Sequence, residues 1–319
     1  MFSMTRKKSL KKLKPQENNI SSLSSVPKQS KFEIKEPDLL IKFSRKQFPG
    51  KGSNKVKSWL EHKKVAVNNK TVTYFNFPLE VGQVVTVTWI TVQNNKQLPG
   101  LKILYEDNDI VVIDKEAGLL SIATEKERER TAYGLLSDFV KRVNPRAKIF
   151  IVHRLDRETS GVMVFAKSEE MKIILQENWQ EMVKERTYAV VVEGMVEDKE
   201  GTMTSWLKEN KAFQMYSQTT PSEDGQKAIT HYKLVKQNQS YSLLNVQLET
   251  GRKNQIRVHF NDLGYPVVGD RKYGASHNPL GRLGLHAKVI EFLHPETKNI
   301  MRFESPIPKE FLRLVEGMG

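Results

Sequence analysis

The 319-residue chain contains no cysteine. That excludes a disulfide framework, a thiolate nucleophile and a cysteine-ligated zinc site. Long apolar runs are also missing. IVVI at 110–113 and AVVV at 189–192 are strand-length, far short of the roughly 20 residues of a membrane-spanning helix. The start, MFSMTRKKSLKKLK, has the basic opening of a signal peptide with no apolar stretch behind it. The expected location is the cytoplasm, although this basic, serine-containing, acid-poor start also has the character of a transit peptide. There is no GxxxxGK[ST] loop and no convincing GxGxxG, so a nucleotide cofactor has no support. HExxH is absent and the seven histidines are scattered, so no metal is expected. Ser160 stands in T-S-G rather than in the G-x-S-x-G of a nucleophile elbow. No repeat of fixed period is present.

What the chain does have is positive charge, unevenly placed. Of a formal +14, residues 1–100 carry 19 Lys and Arg against 6 Asp and Glu, whereas 101–319 carry 32 against 31. A basic end on a nearly neutral body points to a tethered segment for a polyanion. Nucleic acid is the expected partner, because its phosphates reward clustered cations through counterion release. An acidic membrane fits less well, since no amphipathic, aromatic-rich helix accompanies the charge.

Residues 1–40, rich in Lys, Ser, Gln, Asn and Pro, read as a disordered basic tail. Over 41–95, KVKSWLEHKK predicts a short helix with Val56, Trp59 and Leu60 on one side. VAVNNKTV and VGQVVTVTW then predict strands around an Asn68-Asn69 turn. This order, with its interspersed lysines, resembles the αL-type RNA-binding module of a ribosomal small-subunit protein. VAVNNKTV matches that module's V-x-V-N-G-K-x-V, with Asn69 in place of glycine. The resemblance implies RNA contacts by Lys55, Lys57, Lys63 and Lys64. KQLPG at 96–100 reads as a linker.

From Leu101 to Gly319 helix and strand alternate, with strand dominant. ILYEDNDIVVIDKEAG predicts strand–turn–strand, and TAYGLLSDFVKRV a helix ending before Pro145. KIFIV and GVMVFAK predict strands on either side of HRLDRETSG (153–161), which puts Asp156 in their connection. EEMKIILQENWQEMVKER predicts one helix; TYAVVVEG, ITHYKLV, YSLLNVQLE and NQIRVHF predict strands. Asp156 and Glu158 are two apart, a spacing too common to identify a glycosidase pair. A lone aspartate between Arg154 and Arg157 fits either surface charge mixing or a carboxylate that works on a polyanion.

The joint pattern decides more than any single residue. EDNDIVVIDKEAGLLS, HRLDRETSGVMVFAKS, RTYAVVVEG, TGRKNQIRVHFNDLGYPVVGDRKYG and RLGLHA follow one another in that order. Together they resemble the RluA-type pseudouridine synthases, over roughly 101–310. The resemblance implies an α+β fold, a mixed and mostly antiparallel sheet with flanking helices, in a catalytic domain over 101–319. It implies a cofactor-independent isomerase of uridine in RNA, with ribosomal RNA of the large subunit favoured by the appended module. Nothing in the sequence sets an oligomeric state, and a monomer is the default. Asp156 would be the catalytic aspartate, Arg257 its ion-pair partner and Tyr188 the active-site tyrosine. Arg154 would replace the extruded base, Leu285 would line the pocket and Arg252 would touch substrate or support its loop. For Arg157 simple phosphate attraction is expected. Two positions depart from the family pattern. Asn254 replaces its usual histidine, which retains a donor and an acceptor but excludes proton transfer. Lys115-Glu116-Ala117-Gly118 replaces the common K-P-A-G. The rival reading is a non-catalytic RNA-binding or ribosome-assembly protein on the same fold, with Asn254 the one feature in its favour.

Overall fold

Residues 29–48, 56–57, 59–60, 64–88, 97–125, 127 and 130–317 are described by the structure, a computed structural model. The chain divides into two units, Met1–Val92 and Gln93–Gly319. Lys55 and Lys63 lie outside the described residues, whereas Lys57 is exposed and Lys64 half-buried.

In the first unit β1 (Gln29–Glu33), β3 (Val65–Val67), β4 (Lys70–Thr71) and β6 (Val84–Thr88) form a sheet in the order β1-β6-β3-β4. A second pair joins β2 (Asp38–Leu39) to β5 (Pro78–Leu79), and α1 (Leu40–Gln47) follows β2 directly. Asn68 and Asn69 turn β3 into β4 with φ of 47° and 65°. Both left-handed positions are needed in a two-residue hairpin, and asparagine tolerates them better than any other residue except glycine. The core gathers Ile34, Leu40, Trp59, Leu60, Val65, Val67, Leu79, Val85 and Val87. Residues 29–40 therefore do not belong to a disordered tail. Ile34 and Leu40 are 2% and 0% exposed, so KFEI and DLL bury apolar side chains that the polar average of the segment conceals.

The second unit is built on one twelve-stranded sheet. Its strands are β7 (Gln97–Leu98), β8 (Leu101–Glu106), β9 (Ile110–Lys115), β10 (Phe150–Ile151), β11 (Ser160–Ala166), β12 (Val183–Glu193), β13 (Glu200–Glu209), β14 (Met215–Gln218), β15 (Gln226–Gln237), β16 (Tyr241–Leu248), β17 (Leu285–Leu293) and β18 (Ile300–Glu304). The order is β14-β13-β15-β16-β12-β17-β11-β9-β8-β7, with β10 on β11 and β18 on β17. Pairing is antiparallel except between β11 and β17, where Ser160 faces His286 and Gly161 faces Ala287 in parallel. Gly161 has φ 113°, and a Cβ there would lie 2.1 Å from the Ala287 carbonyl oxygen. Only glycine fits this crossing. Of the linker expected at 96–100, the described residues 97–100 form a hairpin arm of this sheet, Gln97 and Leu98 pairing with Lys102 and Leu101.

Helix α2 (Ala132–Val143) begins at Thr131, whose hydroxyl accepts from the Gly134 N–H at 3.0 Å, and it buries Leu136, Phe139 and Val140. The single helix expected over 169–186 is broken. α3 (Glu169–Glu177) stops at Asn178, α4 (Trp179–Met182) is one turn, and Val183 already pairs with Phe292 in the sheet. NQIRVHF, expected as a strand, is α5 (Gln255–Asp262). Its alternating Ile256, Val258 and Phe260 resemble a strand, but Gln255 and His259 are buried too, as a helix packed against the sheet requires. The last helix is α6 (Lys309–Glu316).

Candidate active site

Asp156 sits on the loop before β11, and that loop is pinned on both flanks by residues 115–121. Lys115 is fully buried, and its Nζ donates to the carbonyls of Glu116 (3.0 Å), Leu119 (2.8 Å) and Arg157 (3.2 Å). Burial lowers its pKa to about 8. Ser121 Oγ donates to the Leu155 carbonyl at 2.6 Å and accepts from the Leu155 N–H at 3.1 Å. The Gly118 N–H donates to Arg157 O at 2.9 Å, so the K-E-A-G variant still holds the loop. Arg157 is not a free phosphate contact. Its guanidinium pairs with Glu127 at 2.7 Å and donates to Gly118 O.

The Asp156 carboxylate meets two groups of α5 and its entry, and both contacts fall on Oδ2. Asn254 Nδ2 donates to it at 2.7 Å and Arg257 Nη1 lies at 3.4 Å. Oδ1 has no hydrogen-bond partner among the described residues. Asn254 adopts φ 54°, a left-handed conformation in which asparagine is several-fold enriched. Its side-chain oxygen accepts from the Tyr273 hydroxyl at 3.2 Å. The residue thus uses both the donor and the acceptor that set it apart from an apolar replacement.

Arg257 belongs more to Asp270 than to Asp156. Its Nε and Nη2 donate to the two Asp270 oxygens at 2.6 and 2.7 Å, and the Asp270 side chain is 1% exposed. Burial opposes the guanidinium charge, but the Asp270 hydrogen bonds and charge, with Asp156 behind them, raise its pKa. Two cations approach the Tyr273 ring, the Arg257 guanidinium carbon at 4.8 Å and Lys272 Nζ at 5.8 Å from its centroid.

Tyr188 lies on β12 opposite Ala287. Burial raises its phenol pKa, opposed by Arg186 and reinforced by Asp156. Two residues upstream, Arg186 Nη2 donates to the carbonyls of Leu248 and Glu249 at 3.2 and 3.1 Å, fixing the end of β16 beside Tyr188. Gln255, 2% exposed, ties the T-G-R loop to the sheet. Its Oε1 accepts from Thr250 Oγ1 and the Arg252 N–H, and its Nε2 donates to Ile229 O and Thr230 Oγ1. Arg252 Nε donates to Lys227 O. On the other side Ser160 Oγ meets His286 Nδ1 at 2.8 Å and accepts from Arg282 at 2.6 Å, which joins T-S-G to R-L-G-L-H-A.

These elements enclose a cavity of about 380 Å³ lined by Arg154, Asp156, Tyr188, Arg252, Arg257 and Leu285, together with Lys253, Asn254 and others. Arg154, Asp156, Tyr188, Arg252, Arg257 and Leu285, named from sequence, thus reach one cavity, whereas Arg157 does not line it. Arg154 is exposed at its rim and has no ion-pair partner among the described residues. Asp270, Tyr273, Gln255 and Lys115 were given no site role from sequence. Each stands within a motif of the joint pattern, Lys115 in the opening one and the others in TGRKNQIRVHFNDLGYPVVGDRKYG, but position in a motif does not say what a side chain touches. A cavity with one anion, several guanidiniums and an aromatic wall is suited to a polyanionic substrate with a flat base.

A metal cluster is elsewhere approached but not built. Asp107, Asp109 and His294 bring ligand atoms within 4.8 Å of one another. Asp107 already accepts from the Asp109 and Ile110 N–H groups, from the Tyr105 hydroxyl and from His294 Nε2. His294 Nδ1 accepts from the Glu296 and Thr297 N–H groups. Both imidazole nitrogens are therefore committed to the protein.

Residues 109–262 match the family profile described as RNA pseudouridylate synthase. The chain is 36% identical over 217 residues to the uncharacterized RNA pseudouridine synthase YjbO of Bacillus subtilis, covering 68% of this chain and 76% of that one. It is 32% identical over 295 residues to the ribosomal large subunit pseudouridine synthase D of Xylella fastidiosa, covering 85% and 86%. Among solved structures, human RNA Pseudouridylate Synthase Domain Containing 4 superposes with a TM-score of 0.56 at 24% identity, over 67% of this chain and 91% of that chain. That likeness is one of fold.

Proposed function

Because the chain belongs to the RNA pseudouridine synthase family, isomerases of uridine in RNA, we propose that its reaction is carried by Asp156 and that its target lies in large-subunit ribosomal RNA. The observation that carries the assignment is the one-sided hold on the carboxylate. Asn254 and Arg257 both address Oδ2, which leaves Oδ1 for the sugar–base junction of a uridine in the cavity. There the bond from ribose to the uracil nitrogen breaks, the base turns, and a bond from ribose to the ring carbon C5 forms; the C5 proton leaves and the freed nitrogen takes up a proton, so the product is an isomer of the substrate.

The other residues take roles that follow from their surroundings. Arg257, fixed by Asp270, balances the Asp156 charge when the substrate excludes water. Tyr188 enters as a neutral phenol, since burial raises its pKa, so its ring offers a stacking face to uracil. Leu285, 5% exposed, supplies an apolar wall. Arg154 at the rim stacks in place of the extruded base, offsetting an unpairing cost of about a few kcal/mol. Arg252 steadies the substrate strand. The basic first unit, with Lys57 and Lys64, and with Lys55 and Lys63 beside them in sequence, adds salt-dependent affinity. The large-subunit target is supported by that charge and by the relatives named as large-subunit synthases. Asn254 no longer favours a binding-only protein, because it donates to Asp156.

The test is a map of pseudouridines in total RNA, by carbodiimide adduct and primer extension, with and without the gene. Loss of one or a few stops in large-subunit RNA, restored by wild type but not by Asp156→Asn, is expected. Purified Asp156→Asn should bind RNA within a few-fold of wild type. Restoration by that variant would sink the assignment of the aspartate.

A further inference from the structure

Phe213 is 73% exposed and has φ 57°. For a bulky side chain the left-handed conformation is a true outlier, held only where the surroundings impose it. Here they do. The turn between β13 and β14 is locked by Asn210, whose Oδ1 accepts from the Ala212 and Gln214 N–H groups at 2.9 and 3.0 Å. The Phe213 N–H donates to Asn210 O at 2.9 Å, and Lys272 Nζ donates to Phe213 O at 3.1 Å. A turn this well satisfied has no folding reason to present an aromatic ring to water.

The turn is also wired to the active site. Gln214 Nε2 donates to Lys272 O, and the Met215 N–H donates to the Tyr273 hydroxyl at 3.1 Å. Tyr273 donates to Asn254, and Asn254 donates to Asp156. At the base of the hairpin Glu209 pairs with Lys253, which lines the cavity. The exposed ring therefore stands on an arm hydrogen-bonded to residues that hold Asn254 and Lys253 of the cavity, with the exposed Lys211 two residues before it in the turn and the exposed Lys272 donating to its carbonyl.

Resting on the reading of the cavity as a uridine site, we propose that Phe213 is a stacking platform for an unpaired base of the RNA near the target uridine, with Lys211 and Lys272 drawing the adjoining phosphates. An aromatic face flanked by cations binds any base without reading its sequence, and such stacking is strong enough to govern affinity. An apolar protein partner fits poorly against these lysines.

The test uses the full chain and an unmodified transcript of large-subunit ribosomal RNA, with affinity by filter binding and turnover by tritium release from [5-³H]uridine. Phe213→Gly accepts the same φ and removes the ring; Phe213→Trp keeps a stacking face. Phe213→Gly should weaken binding and kcat/KM by about tenfold or more with no fall in thermal midpoint, and Phe213→Trp should stay close to wild type. The proposal is overturned if Phe213→Gly binds as tightly as wild type, or if Phe213→Trp is as weak as Phe213→Gly. A loss accompanied by a lower midpoint in Phe213→Gly would also overturn it, as a structural role. Wild-type binding without tritium release would refute the isomerase reading, while the affinities would still decide Phe213. No binding by wild type would overturn both.

Discussion

Replacing Asp270 by alanine separates the holding of Arg257 from the charge it presents to Asp156. The carboxylate is 1% exposed and takes both donors of one guanidinium edge at 2.6 and 2.7 Å. Removing one partner of such a pair costs about 3–5 kcal/mol, because the remaining charge is stranded in the interior. Part of this is recovered, since Asp156 lies 3.4 Å from Nη1. At that distance the attraction is about 5 kcal/mol at an effective dielectric of 20 and about 1 kcal/mol in water. The Asp156 side chain is 34% exposed, so the recovery is partial, and a net loss of about 2–4 kcal/mol in urea unfolding is expected. Catalysis should suffer separately. A guanidinium free to close on Asp156 displaces the carboxylate, and a misplacement of about 1 Å costs about 100-fold in turnover. Adding Arg257→Met removes the stranded charge, so Asp270→Ala/Arg257→Met should regain more than half of the lost stability and none of the tritium release. A loss below about 1 kcal/mol for Asp270→Ala, or a double variant no more stable than the single one, would refute this account of the pair.

Asn254→Asp keeps the shape but sets a carboxylate 2.7 Å from Asp156; turnover should fall by about 100-fold, whereas Asn254→His, which tolerates the positive φ and restores a donor, should stay within a few-fold in the same assay. His259 is 2% exposed, and burial lowers its pKa to about 4. Between pH 6.5 and 4 the unfolded chain therefore binds the proton that the folded one refuses. Its stability contribution is complete above pH 6.5 and falls on acidification by up to about 1.4 kcal/mol per pH unit. Urea titrations at pH 7 and 5 should show this slope reduced in His259→Gln. Deleting residues 1–92 should weaken RNA binding and flatten its dependence on salt while slow turnover persists; unchanged affinity would mean that the first unit does not hold RNA.

The candidate site was legible in the sequence where the chemistry is local. Asp156 stands in a long motif, and Tyr188 and Arg257 follow at their own motifs, so each could be named without coordinates. Asp270 could not, because nothing near G-D-R-K-Y says that its carboxylate folds back onto α5. Tyr273 was equally hidden, its meaning set by Asn254, Met215 and two cations brought together by the fold. The strand reading of NQIRVHF failed because apolar alternation over so few residues fits both periods, and the packing of Gln255 and His259 chose the helix. The tail reading failed for residues 29–40 because an average over many polar residues hides a few buried ones.

The parallel contact of Gly161 with Ala287 has a consequence for how the protein comes to exist. β11 can pair with β9, and at Phe165 and Ala166 with β10, as soon as it is made, but Ser160 and Gly161 at its start must wait for β17, more than a hundred residues later. Until then an apolar strand with every side chain destined for burial has part of one edge open. Such high contact order slows folding, and the bare edge is a template for wrong partners. Because Leu285 and the Ser160–His286 contact arrive with β17, the cavity closes only when almost the whole unit has been laid down. Competence for chemistry is thereby a late property of the folding chain, reached together with its last central strand.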